Sequence, residues 1–155
     1  MCGGFGVKLS RIPRQELNKF YDSSQINQFT KKGELTDFFW SQRPVLPVEI
    51  DDQTKLFDWG NRDEKEPFPK TGWAKKESID DGKWNWQHPQ KVHIPIDRGY
   101  EKGVWFDFPA GTDGLLVEKN GEQRIYMITE PADKKYLEQT GHDRMPPGLK
   151  KYSYS

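Results

Sequence analysis

Cys2 is the only cysteine in a chain of 155 residues, and Gly3 and Gly4 follow it directly. Removal of Met1 makes this cysteine the N-terminus, with a primary amine and a thiol on adjacent carbons. Such an aminothiol attacks an aldehyde twice, first through nitrogen to a Schiff base and then through sulfur to a thiazolidine ring. An α-amino group titrates near about 7.7–8.0, against about 10.4 for a lysine. Roughly a tenth to a sixth of it is therefore neutral and nucleophilic at about pH 7. A lysine matches that only after strong desolvation. Two glycines let backbone and substrate approach closely, with no Cβ between them. A lone cysteine is also commonly a small buried hydrophobe. Both readings stand at this point.

Other candidates are weaker. His88 and His93 suggest a metal site with Asp97 or His142. One such pair without a second pair of ligands is a poor match to metal spacing, and on a strand the two point to opposite faces. No metal and no cofactor is expected. Trp73, Trp84 and Trp86 could stack unpaired bases, at about 1–3 kcal/mol per base. In so polar a chain tryptophans also serve as core. Trp84 and Trp86 are assigned to the core, and Trp73 is left open.

The 24 basic and 24 acidic residues cancel, so no overall field draws the protein to a polyanion or a membrane, and any such site is a local patch. Arg144 to Lys151 is one such patch, with three positive charges and no acid. Only 33% of residues are hydrophobic while 14% are aromatic, which implies a core of few, large rings. The length suits one domain. A single cysteine excludes an intrachain disulfide and suits a reducing compartment. No apolar run approaches the roughly 20 residues of a membrane span. No signal peptide is expected, and the cytoplasm or a bacterial nucleoid is the expected location.

The elements that must position these residues read as one α+β domain, with a mainly antiparallel, curved or barrel-like β core and a few flanking helices. Phe5 to Leu9 alternates as a half-buried strand and would anchor Cys2 in a sheet. Ser10 to Tyr21 reads as a helix with Pro13 in its first turn. Asp22 to Gly33 is polar and ambiguous. Arg43 to Val48, with two prolines, suits an extended edge segment. Val48–Ile50 and Lys55–Trp59 read as hairpin arms around Asp51-Asp52. Gly60 to Gly72 reads as a surface loop. Strands are expected at Lys91–Ile96 and Val104–Phe108. The clearest hairpin joins Leu115–Lys119 to Arg124–Thr129 through Asn120-Gly121. A helix is expected from Pro131 to Thr140, with Gly141 after its end.

Cys2-Gly3-Gly4 at one end and Gly141-His142-Asp143-Arg144-Met145-Pro146 at the other resemble the SOS-response-associated peptidase-like (SRAP) family. Its members typically begin Met-Cys-Gly-Arg and carry His-Asp-Arg-Met-Pro near the end. Trp59-Gly60 matches a Trp-Gly element of the family, and Arg43-Pro44 its arginine-rich entry to the first hairpin. The family stretch Ile-Pro-Ala-Asp-Gly-Phe-Tyr-Glu-Trp corresponds to Ile94-Pro95-Ile96-Asp97-Arg98-Gly99-Tyr100-Glu101-Lys102. That places Glu101 on the family's catalytic glutamate. The resemblance covers nearly the whole chain, in order. Gly4 stands where the family has arginine, removing one phosphate contact. Trp73-Ala74-Lys75-Lys76-Glu77-Ser78 replaces Asn-Ala-Arg-Ser-Glu-Thr, so the active-site asparagine is absent. The family's usual extension after the final motif is shortened.

The resemblance implies covalent capture of abasic sites in single-stranded DNA by a thiazolidine at mature Cys2, as part of a DNA-damage response. Glu101 would orient or accept from the amine. His142, titrating near about 6.5, would exchange protons with the sugar during ring opening and closure. Arg43, Lys75 and Arg144 would bind phosphates beside the lesion, with Trp73 near the DNA. Plainer readings are a solvated charge in a glycine-rich loop for Glu101, a helix-end histidine for His142 and a local Asp143-Arg144 ion pair. A monomer is expected, with no small-molecule cofactor and no membrane partner. Two rivals remain: a cysteine peptidase or self-processing protein with Cys2 as N-terminal nucleophile, and a non-catalytic single-strand-binding module.

Overall fold

Phe5 and Val7 are wholly buried, while Gly4 and Gly6 alternate with them on the opposite face of the first strand. The computed structural model describes residues 2–149. In chain order it begins with β1 (Gly4–Lys8), α1 (Arg14–Phe20), α2 (Ser23–Lys32), β2 (Glu34–Phe38), β3 (Val45–Ile50) and β4 (Gln53–Asp58). Next come β5 (Trp73–Lys75), α3 (Lys76–Asp80), β6 (Gln90–Ile94), β7 (Arg98–Glu101) and β8 (Val104–Asp107). The last are β9 (Thr112–Lys119), β10 (Glu122–Pro131), α4 (Lys134–Thr140) and β11 (Arg144–Met145).

The fold is α+β. One antiparallel sheet has the order β2-β1-β7-β8, and a seven-stranded sheet has β11-β10-β9-β6-β3-β4, with β5 parallel to β10. The main core contains Phe5, Val7 and Phe106 from the first sheet and Leu46, Val48, Ile125 and Met127 from the second. The larger sheet curls far enough that Trp59, just past β4, bridges Ile125 of β10, without forming a closed barrel. A smaller cluster on Leu115, Val117, Tyr126 and Ile128 is covered by Phe68 and Trp84. Phe68 belongs to the 60–72 loop, which Asn61 clamps by donating to the carbonyls of Asp63 and Phe68.

Three tight hairpins among the described residues place both central residues at positive φ: Asp51-Asp52, Lys102-Gly103 and Asn120-Gly121. That geometry matches the right-handed twist of the flanking strands. It also puts Glu101 at the very end of β7, fixed by the turn that follows it.

Several expectations are corrected. The helix expected over Ser10–Tyr21 is a 3-10 turn at Leu9–Arg11 and then α1, because Pro13 holds Ile12 in an extended conformation. The ambiguous Asp22–Gly33 stretch is α2, closed by a capping box between Asp22 and Gln25 and ended by Gly33 at φ 69°. Strand β2 had no apolar run to announce it. Val45–Ile50 is not an edge: β3 lies between β4 and β6, but its ladder to β6 is a single pair, Glu49 with His93. Pro47, which has no N–H, fits beside that sparse ladder. Strand β6 stops at Ile94, before Pro95. Pro131 ends β10, and α4 starts later, capped by Asp133. Among the described residues no helix is long and apolar enough to cross a membrane.

Candidate active site

Cys2 is stitched to three parts of the chain. The Gly3 N–H donates to the Tyr100 carbonyl at 2.8 Å, and the Phe39 N–H donates to the Gly3 carbonyl at 3.0 Å. The indole N–H of Trp73 donates to the Cys2 carbonyl at 3.0 Å. The thiol is 2% exposed as part of its residue and donates to the Gly4 carbonyl at 2.9 Å. Gly99 makes room for it. A Cβ at position 99 would lie 2.6 Å from Cys2 Sγ and 2.5 Å from Phe108 Cε2. Burial pushes the thiol up to about 11, the nearby Glu101 carboxylate adds to that rise, and the bond to Gly4 opposes it. Near neutral pH this sulfur is held as a protonated thiol.

Glu101 follows Tyr100 on the strand beside Cys2, and it is 7% exposed. It is therefore not the solvated loop charge of the plainer reading. His142 Nε2 lies 3.8 Å from Glu101 Oε1. The loop is held by the His142 backbone N–H, which donates to Thr140 Oγ1 at 3.0 Å, and the imidazole is oriented by the Arg144 backbone N–H, which donates to its Nδ1 at 3.3 Å. In a neutral imidazole that accepts at Nδ1, the proton sits on Nε2, facing Glu101. Burial lowers the His142 pKa, and Glu101 partly opposes it. The structure thus brings Cys2, Glu101 and His142 into one neighbourhood, although 140 positions separate the first from the last. Four surface cavities of about 350, 390, 480 and 720 Å³ lie elsewhere, and none is lined by these three residues.

The other candidates divide. Arg144 is oriented by Thr129 and forms a fork–fork pair with Glu77, at 2.7 and 3.1 Å. Its partner is Glu77, not the adjacent Asp143, and the bond to Arg144 lowers the Glu77 pKa. Lys75 is exposed at the end of β5. Arg43 is paired with Asp58 at 2.8 Å, stacks on Phe20, and lines the 720 Å³ cavity with Arg62 and Arg124. That location is separate from Cys2. Trp73 packs on Phe39 and Trp59 while its N–H reaches Cys2. Trp84 is core, but Trp86 is not. It is 58% exposed on a 3-10 turn, with the Lys119 ammonium over its ring and its N–H donating to the Lys83 carbonyl. Among the described residues no group of three or more His, Cys, Asp or Glu could hold a metal. Met1 and the lysines at 150 and 151 lie outside the described residues.

Sequence reasoning missed Gly99 as the floor under the thiol, Glu77 as the partner of Arg144, and a row of half-buried rings beside Gly4 that ends on exposed Trp40. The alternation Gly4-Phe5-Gly6-Val7 carried a signal for the last. A strand with glycine on every outward position leaves that face to its neighbours' side chains. No family model matches the chain, and no curated protein matches it.

Proposed function

We propose that this protein is SRAP-like and captures abasic sites in single-stranded DNA through Cys2, once Met1 is removed. The observation that carries the reading is the placement of Cys2 beside Glu101 and His142, with the imidazole 3.8 Å from the carboxylate. A solvated aminothiol would also react with aldehydes. This one sits beside a base and a proton carrier, as stepwise condensation requires.

The Cys2 amine adds to C1′ of the ring-opened sugar, and water leaves with a proton supplied by His142. The imine that results is cationic when protonated. A positive charge next to the thiol favours thiolate and offsets the rise that burial imposes. The thiol proton returns to His142, replacing the one given to water; sulfur then adds to the imine carbon, and the nitrogen keeps its proton. The condensation loses one water in all and needs no oxidant, metal or cofactor. Glu101 orients the amine and steadies the charge on nitrogen.

Trp73 supports the reading despite the missing asparagine. Its indole N–H supplies a donor to the Cys2 backbone from the same motif position. Lys75, exposed and next to Trp73, is the cation offered to phosphate. Arg144, neutralised by Glu77, is a positioning residue for the His142 loop. A reducing cytoplasm or nucleoid suits a site that depends on a free thiol.

Intact mass spectrometry tests the proposal. The mature chain lacking Met1, mixed with an abasic single strand, is expected to give one species at the summed mass less one water. Self-cleavage beyond Met1 would support a peptidase instead. Equal, reversible binding of intact and abasic strands would support a non-catalytic module.

A further inference from the structure

The outward face of the four-stranded sheet carries a row of rings that the chemistry at Cys2 does not use. Phe38, Gly4, Tyr100 and Trp105 are register neighbours on β2, β1, β7 and β8. Alternate positions on these strands, Phe5 and Phe106 among them, are buried in the core, so the row faces away from it. Tyr100 meets Phe38 at 5.5 Å and Trp105 at 5.1 Å between ring centroids. Trp40 stacks on Phe38 at 4.7 Å and 22°, and it remains 60% exposed. The Arg98 guanidinium lies 4.0 Å from the Trp105 ring at one end of β7, and exposed Lys102 follows Glu101 at the other.

We infer that this face is a stacking platform for the unpaired bases that flank the nucleotide held at Cys2, an inference that rests on the proposed capture reaction. Continuity with the site is direct. A Cβ on Gly3, the residue after Cys2, would lie 3.0 Å from Trp40 Cζ3. An abasic nucleotide has no base, so affinity for its strand must come from phosphates and from neighbouring bases. Flat rings supply that without reading sequence, because every base has a π face. A pyranose could stack on the same rings, but it needs side chains free to bond its hydroxyls. Here Thr36 and Arg98 both donate to Glu34, and Gly4 and Gly6 have no side chain. The face therefore fits bases better than sugars.

The test uses a fluorescent oligothymidine without any lesion, read by anisotropy at fixed salt, with wild type, Trp40→Ala and Trp40→Phe. Trp40→Ala is expected to weaken binding about 5- to 150-fold, the loss for one stacked base, and Trp40→Phe to retain most of it. Binding should also quench tryptophan emission. Thermal melts of each variant separate lost stacking from lost folding. Equal affinity of wild type and Trp40→Ala overturns the platform, as does displacement of the oligonucleotide by a neutral oligosaccharide at equal concentration. Adduct formation by wild type on an abasic strand is scored separately. Adducts with Trp40-independent binding would remove the platform and leave capture standing. Trp40-dependent binding without adducts would do the reverse.

Discussion

The indole N–H of Trp73 donates to the carbonyl oxygen of Cys2 at 3.0 Å, from 71 residues away. The bond ties the backbone of Cys2 to β5 of the other sheet while the ring stays packed on Phe39 and Trp59. Trp73→Phe keeps most of that packing and removes the donor. A typical intramolecular hydrogen bond contributes about 0.5–1.5 kcal/mol, so adduct formation under single turnover should slow roughly 2- to 10-fold, with a small loss of thermal stability. An unchanged rate would reduce Trp73 to a core ring.

Gly99 is demanded by close approach rather than by an unusual backbone angle. Gly99→Ala places a methyl group against Cys2 Sγ and Phe108, and overpacking of this kind costs about 1–3 kcal/mol. Removing the sulfur should relieve part of that. Urea denaturation of Gly99→Ala, Cys2→Ala and the double variant should show the pair to be non-additive, with the double variant more stable than the sum of single losses predicts. Strict additivity would mean that Phe108 alone takes the clash.

The Cys2 thiol, raised to about 11 by burial, should resist alkylation in the native protein at pH 8. Denaturant should expose it to the same reagent within minutes. The sign for stability follows from the raised value. The folded state holds the thiol proton more tightly, so this group subtracts stability as pH rises through the ordinary thiol value towards about 11. Fast alkylation of native protein at pH 8 would contradict the burial.

His142 works in the opposite window. Its pKa is lowered, chiefly by burial, so the unfolded chain binds this proton more readily than the folded one. Its contribution to stability is complete above the ordinary histidine value of about 6.5 and is lost as pH falls below it. His142→Gln should flatten that part of the stability–pH curve. An unaltered curve would place the titration elsewhere.

The sheet was legible where chemistry was local. Asn120-Gly121 announced its hairpin, and Phe5 and Val7 marked the core face of β1, although that strand is buried on both faces from Gly4 to Val7 rather than half-buried, and Leu9 lies in the turn after it. Helix α2 was hidden because its apolar face is short, with Ile26 buried and Phe29 half-buried against the core, while the capping box and Gly33 mark its ends. The neighbourhood of Cys2, Glu101 and His142 was legible only through the order of short motifs, since no spacing rule joins positions so far apart. The pairing of Arg144 with Glu77 is tertiary, and nothing in the chain order distinguishes it from a pairing with Asp143. Trp86 misled because composition counts rings without saying which face they take.

The central claim rests on a division of labour within one residue, and a denaturing gel separates the two parts. Mature Cys2→Ala keeps an N-terminal amine and loses only sulfur. Incubated with abasic single-stranded DNA, wild type should give a heat-stable adduct without reductant. Cys2→Ala should give one only when borohydride traps its Schiff base, with strand nicking in its absence. A stable, reductant-independent adduct from Cys2→Ala would contradict the account and return Cys2 to the role of a buried core residue.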